Sequence, residues 1–113
     1  MQPLRIGLLG VGTVGGGTIK LLQNNSSEIT RRLGRELIIT HAANRNLDRA
    51  RQICGNSIKI TNNVFDVVNA EDVDVVVELI GGTTIAKDAI IQAIKNGKHI
   101  VTANKKTISR IWQ

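Results

Sequence analysis

Leu4-Arg5-Ile6-Gly7-Leu8-Leu9-Gly10-Val11-Gly12-Thr13-Val14-Gly15 runs from an apolar stretch straight into a glycine-spaced turn, and Gly16 and Gly17 follow at once. A G-x-G-x-x-G spacing between a strand and a helix gives each glycine a task. Gly10 lets the chain turn sharply, Gly12 lets the backbone approach a pyrophosphate, and Gly15 lets the helix pack closely on the strand. Unpaired amides at the helix start then face the phosphates. The same spacing can also be a flexible connection that binds nothing, so its flanks decide. Leu4 to Leu9 reads as a buried strand, while Val14, Thr18, Leu21, Leu22, Ile29 and Leu33 recur at roughly helical spacing up to Gly34. Both flanks favour a dinucleotide-binding turn.

The chain has 113 residues, enough for one domain with a real core and short for a complete dinucleotide-dependent enzyme. With one Trp, one Phe and no Tyr, that core must be built from Ile, Val, Leu and Ala, which suits a parallel sheet buried on both faces. A single cysteine, Cys54, excludes an internal disulfide framework and fits a reducing compartment, where it serves as a small hydrophobe. No apolar leader precedes the glycine motif and no stretch approaches ~20 apolar residues, so the expectation is a cytoplasmic chain with no membrane partner. Fifteen basic against nine acidic residues give a net charge of +6. Arg31, Arg32 and Arg35 cluster where the first helix should end and complement its dipole. Interleaved aromatics, helix-turn-helix features and zinc spacings are missing, so nucleic acid is not an expected partner.

Beyond Gly34, strands and helices alternate. Leu37 to Ala43 predicts a second strand, Asp48 to Ile53 a short helix stopped by Gly55, and Ile58 to Thr61 a brief third strand. A helical turn passes through Val64, Val67 and Val68. Val73 to Ile80 is the clearest buried strand and ends at Gly81-Gly82. A helix from Ile85 to Asn96 is expected to bury Ala86, Ala89, Ile90, Ala93 and Ile94, with Gly97 closing it. His99 to Thr102 is a fifth strand, and a further helix begins at Thr107. Within the long first helix, Asn24-Asn25-Ser26-Ser27 favour caps and turns and can interrupt it. This alternation implies right-handed crossovers and an α/β fold: a Rossmann-type open, mainly parallel twisted sheet with helices on both faces.

Ligands of such sheets lie beyond the carboxyl ends of the strands. That rule gathers Gly10 to Gly15, Asn44-Arg45-Asn46, Gly81-Gly82-Thr83-Thr84 and Ala103-Asn104-Lys105 on one edge. An acidic residue ending the second strand would hold a ribose 2′-hydroxyl. Glu36 stands at about the expected spacing from the glycines, yet it opens the second strand and so falls on the wrong edge. Arg45 stands at the right edge, either as a fork for a 2′-phosphate or as a solvated surface arginine. Lys105 is either an ammonium beside a nicotinamide, exchanging a proton with a substrate hydroxyl, or one of two surface lysines opening a helix. Glu78 reads as a structural acceptor rather than a reactive carboxylate. His41 and His99 lack partners at metal spacing, and no metal site is expected.

Gly7 to Gly17, Asn44-Arg45-Asn46, Val77-Glu78-Leu79-Ile80-Gly81-Gly82 and Asn96-Gly97-Lys98-His99-Ile100-Val101-Thr102-Ala103-Asn104-Lys105 together resemble the N-terminal cofactor-binding domain of homoserine dehydrogenases. Thr-Ala-Asn-Lys after the fifth strand and Glu-Leu-Ile-Gly-Gly after the fourth carry the resemblance most specifically. It implies reversible oxidation of L-homoserine to L-aspartate 4-semialdehyde, within threonine, methionine and isoleucine biosynthesis. The implied cofactor is NADP(H), with NAD(H) as the alternative. It further implies that Gly10, Val11, Gly12, Thr13, Val14 and Gly15 line the cofactor together with Ile80 and Gly81, that Arg45 meets the 2′-phosphate, and that Lys105 is catalytic at the nicotinamide end. Lys106 departs from the family's usual alanine. Residues 1–113 correspond to the cofactor domain alone, so homoserine is an expected partner only with the family's catalytic and dimerisation region, whose full-length form is expected to be a homo-oligomer. A non-catalytic or regulatory dinucleotide-binding module, or a dehydrogenase of other specificity, stands as the alternative.

Overall fold

The computed structural model describes residues 3–11, 31, 34–80 and 84–102. Five strands form one sheet: β1 (Leu4–Leu9), β2 (Leu37–Ala43), β3 (Lys59–Thr61), β4 (Val75–Glu78) and β5 (His99–Thr102). Among the described residues three helices accompany them: α1 (Leu47–Cys54), α2 (Val64–Val68) and α3 (Thr84–Lys95). Every strand pair is parallel, in the order β3-β2-β1-β4-β5. The chain therefore builds outward from β1 to β3, then returns to the other side of β1 for β4. That reversal opens a crevice beyond the carboxyl ends of β1 and β4, where α/β sheets of this order take their ligands. The Rossmann-type expectation is met.

Strand side chains alternate between two apolar layers. Ile6, Leu8, Ala42 and Val75 pack with Ala50 and Cys54 of α1 on one face. On the other, Leu9, Ala43 and Val76 meet Val67 and Val68 of α2 and Ala89 and Ala93 of α3. Burial on both sides explains why these strands are nearly pure aliphatic runs. Gly7 is needed for the second layer, because a Cβ there would run into Val67 Cγ1 and come within 3.1 Å of Val73 Cγ1. It lets α2 close onto β1.

Local chemistry sets the element ends. Asn46 caps α1, its side chain accepting from the Arg49 amide at 3.0 Å, and Asn63 caps α2 through the Phe65 amide at 3.0 Å. α3 closes on Gly97, with the Gly97 amide donating to Ile94 and the Lys98 amide to Ala93, both at 3.0 Å. Two expectations are corrected. Ile94 is 56% exposed, because Ala86, Ala89, Ile90 and Ala93 already make the buried stripe and leave it on the outer flank. The fourth strand spans Val75–Glu78 rather than residues 73–80. At its start the Val73 carbonyl accepts from Lys98 Nζ at 2.6 Å, and at its end Ile80 turns across Gly10. The first helix, the helix from Thr107, and Gly81-Gly82 lie outside the described residues.

Candidate functional site

β1 ends in a backbone junction. Gly10 donates to the Ala43 carbonyl at 2.7 Å, and the Leu9 carbonyl accepts from Leu79 at 2.8 Å, so the ends of β2 and β4 are both tied to it. Gly10 sits at φ +85°, and a Cβ on it would lie 2.9 Å from Ile80 Cγ1 and 3.4 Å from the Ile80 amide nitrogen. Only glycine meets both demands without strain. Gly10 and Ile80, two of the sequence-predicted cofactor residues, therefore meet at the point where strand order reverses, while a third, Val11, is buried in the core beside them. A glycine in this conformation at the strand end fits the first position of a dinucleotide-binding turn, where the chain bends sharply.

The turn after β2 is fastened to the same junction. Asn44 Oδ1 accepts from the Val11 amide at 3.3 Å, while Asn44 Nδ2 donates to the Asn46 carbonyl at 2.9 Å. Asn46 in turn caps α1. Arg45 is held between these two fixed asparagines, is exposed, and makes no hydrogen bond or ion pair among the described residues. The sequence places Asn44 on this edge with Arg45 and Asn46 but assigns it no role of its own; its tie to the Val11 amide is the structure's addition. Glu36 precedes β2 at the opposite edge, where its carbonyl accepts from the Leu4 amide at 2.7 Å. That position removes it from the ribose site, as expected.

Glu78 is completely buried at the carboxyl end of β4 and accepts from Thr102 Oγ1 at 2.7 Å across the sheet. Elsewhere, His41 Nε2 lies 3.7 Å from Asp72 Oδ1, and burial is the leading effect that pushes this imidazole below its usual pKa. Burial likewise raises the Cys54 thiol, which behaves as a core hydrophobe. No group of three metal-ligating side chains occurs among the described residues. A cleft of about 600 Å³, lined by Leu37, Ile39, Ser57, Lys59 and Asp72, opens near the amino ends of the strands and lies away from the crevice. Gly12, Thr13, Val14, Gly15, Gly81 and Lys105 lie outside the described residues.

A family model described as the NAD-binding domain of homoserine dehydrogenase matches residues 10–112, nearly all of the chain. This chain belongs to the homoserine dehydrogenase family. It is 52% identical over 109 residues to the homoserine dehydrogenase of Methylobacillus glycogenes, covering 96% of this chain and 26% of that protein. Identity to the Neisseria gonorrhoeae homoserine dehydrogenase is 55% over 109 residues, covering 96% and 25% respectively. The crystal structure of a homoserine dehydrogenase from Thiobacillus denitrificans superposes with a TM-score of 0.88 at 53% identity, covering 96% of this chain and 25% of that one. The chain thus spans about a quarter of the length of the homoserine dehydrogenases it matches. It carries their NAD-binding domain. No helix among the described residues is long and apolar enough to cross a membrane.

Proposed function

We propose that residues 1–113 form the NADP(H)-binding domain of a homoserine dehydrogenase, which oxidises L-homoserine reversibly to L-aspartate 4-semialdehyde once the remainder of a full-length enzyme supplies the substrate wall. The observation that carries the reading is the glycine junction at Gly10 and Ile80 with Arg45 beside it. When bound, the dinucleotide supplies the hydride acceptor or donor. Gly10 to Gly15 give backbone amides to the pyrophosphate, and Ile80 and Gly81 bind the cofactor with them. Arg45 forks onto the 2′-phosphate, favouring NADP(H) over NAD(H), and neither Asp nor Glu ends β2 to hold a free 2′-hydroxyl. Lys105 orients the homoserine hydroxyl and takes up its proton as the hydride leaves carbon.

Calorimetric titration of the chain with NADPH and NADH tests the cofactor half of this reading. NADPH binds more tightly, and Arg45→Ala removes on the order of 1.5–3 kcal/mol of that preference. Equal affinities, or an unchanged preference in the variant, contradict it. Turnover is tested in a graft in which this chain replaces the matching N-terminal region of the M. glycogenes enzyme. Homoserine-dependent NADPH formation is expected, and a graft that binds NADPH without turning over homoserine supports a non-catalytic module instead.

A further inference from the structure

Asn44 directly follows β2 and holds three neighbouring chain ends at once. Its backbone amide donates to the Thr61 carbonyl at 2.9 Å, where β3 ends. Its side-chain Oδ1 accepts from the Val11 amide at 3.3 Å, and its Nδ2 donates to the Asn46 carbonyl at 2.9 Å. That same carbonyl accepts from the Ala50 amide at 3.1 Å, inside the first turn of α1. One side-chain link needs an acceptor and the other a donor, and a primary amide supplies both, whereas a carboxylate only accepts and an apolar side chain does neither. Arg45 lies between the two asparagines so fixed. It is exposed and makes no hydrogen bond or ion pair among the described residues, so the turn that carries it sets its place.

We infer that Asn44 is a positioning residue for cofactor choice: by clamping the 44–46 turn to the end of β1, it fixes Arg45 relative to the glycine junction and so presents the guanidinium to the 2′-phosphate. This deepens, and rests on, the reading of Arg45 given above. Asn44 acts through Arg45 and not on the cofactor itself. A turn held in place before binding avoids the ordering cost that a loose one would incur when the fork closes on its phosphate. NADPH and NADH differ only by that phosphate, so misplacing Arg45 weakens NADPH alone, while a general loosening of the fold weakens both.

The test is a cycle of four proteins, the parent chain, Asn44→Ala, Arg45→Ala and the double variant, each titrated calorimetrically with NADPH and NADH. Asn44→Ala is expected to lower the NADPH-to-NADH affinity ratio roughly 3–30-fold, with the NADH Kd within about threefold of the parent. In the Arg45→Ala background the same substitution is expected to leave the ratio unchanged, because its effect passes through Arg45. Thermal melting reports the fold of each variant, and Asn44→Ser, too short to span both links, takes the place of Asn44→Ala in the cycle if the latter does not fold. An unchanged ratio in the folded Asn44 variant, or an equal fall in the ratio with and without Arg45, overturns the inference. A parent with no preference for NADPH, or an Arg45→Ala variant that keeps the preference, overturns the Arg45 reading and this inference with it.

Discussion

Two glycines, Gly7 within β1 and Gly10 just after it, make different demands. At Gly7 the limit is space, since Val67 Cγ1 occupies the position of a Cβ and a short branched side chain cannot swing away. Gly7→Ala is expected to destabilise the chain by about 1–3 kcal/mol in denaturant unfolding. Adding Val67→Ala should recover part of that loss, and additive losses in the double variant would contradict the packing account. At Gly10 the backbone conformation and the closeness of Ile80 act together at the candidate crevice. Gly12 is assigned the pyrophosphate approach from its spacing alone, and Gly12→Val should abolish NADPH binding while circular dichroism reports a folded domain. Retained binding in the folded variant would remove Gly12 from the site. Arg45 needed more than spacing. A count of residues from the glycines points to Glu36, but the turn after β2 is the edge that matters, and Asn44 ties that turn to Val11.

Strands β1 and β4 are fastened at their amino edge as well as at the crevice. Arg5 donates through Nε and Nη2 to the two carboxylate oxygens of Asp74, each at 3.1 Å, and the Arg5 amide adds a bond of 2.9 Å. The side-chain hydrogen bonds from Arg5 are the main reason that the Asp74 carboxyl is held below its ordinary pKa. Its folded value thus lies below the unfolded value of about 3.9. The pair's stabilisation is present above that value and disappears as pH falls through the folded one. Asp74→Asn should melt below the parent at pH 7, with a smaller gap at a pH below the unfolded value of about 3.9. An equal gap at both pH values would show that charge is not responsible. Elements were legible from the sequence where one signal dominated. β2 follows its apolar run, and α1 is bounded by Asn46 and Gly55. The limits of β4 were not legible, because they depend on Lys98 reaching the carbonyls of Ala70 and Val73, at 2.6 Å each, from 28 and 25 residues away respectively. The Asn96-Gly97-Lys98 stretch, part of the family resemblance, proves structural: Asn96 Nδ2 also donates to the Val68 carbonyl at 2.8 Å. No local periodicity announces such long-range ties.

For the whole molecule, the β3-β2-β1-β4-β5 order sends the turn after each strand to a common edge, and the chain brings Gly10, Val11, Asn44, Arg45 and Ile80 toward it. The strand alternation was enough to foresee that convergence, whereas the ties that fix each turn required the folded backbone. A chain spanning about a quarter of its relatives' length should bind cofactor without turning over homoserine, since catalysis needs both reactants held in attack geometry. Homoserine-dependent NADPH formation by the purified 113-residue chain would contradict that. The central claim, that the dinucleotide lies at the β1/β4 crevice, is tested most directly by titrating the ¹⁵N-labelled chain with NADPH and following its backbone amides. The account predicts shifts concentrated at Gly10, Val11, Asn44, Arg45 and Ile80. Shifts concentrated instead at Leu37, Ser57, Lys59 and Asp72, around the cleft near the amino ends of the strands, would contradict it.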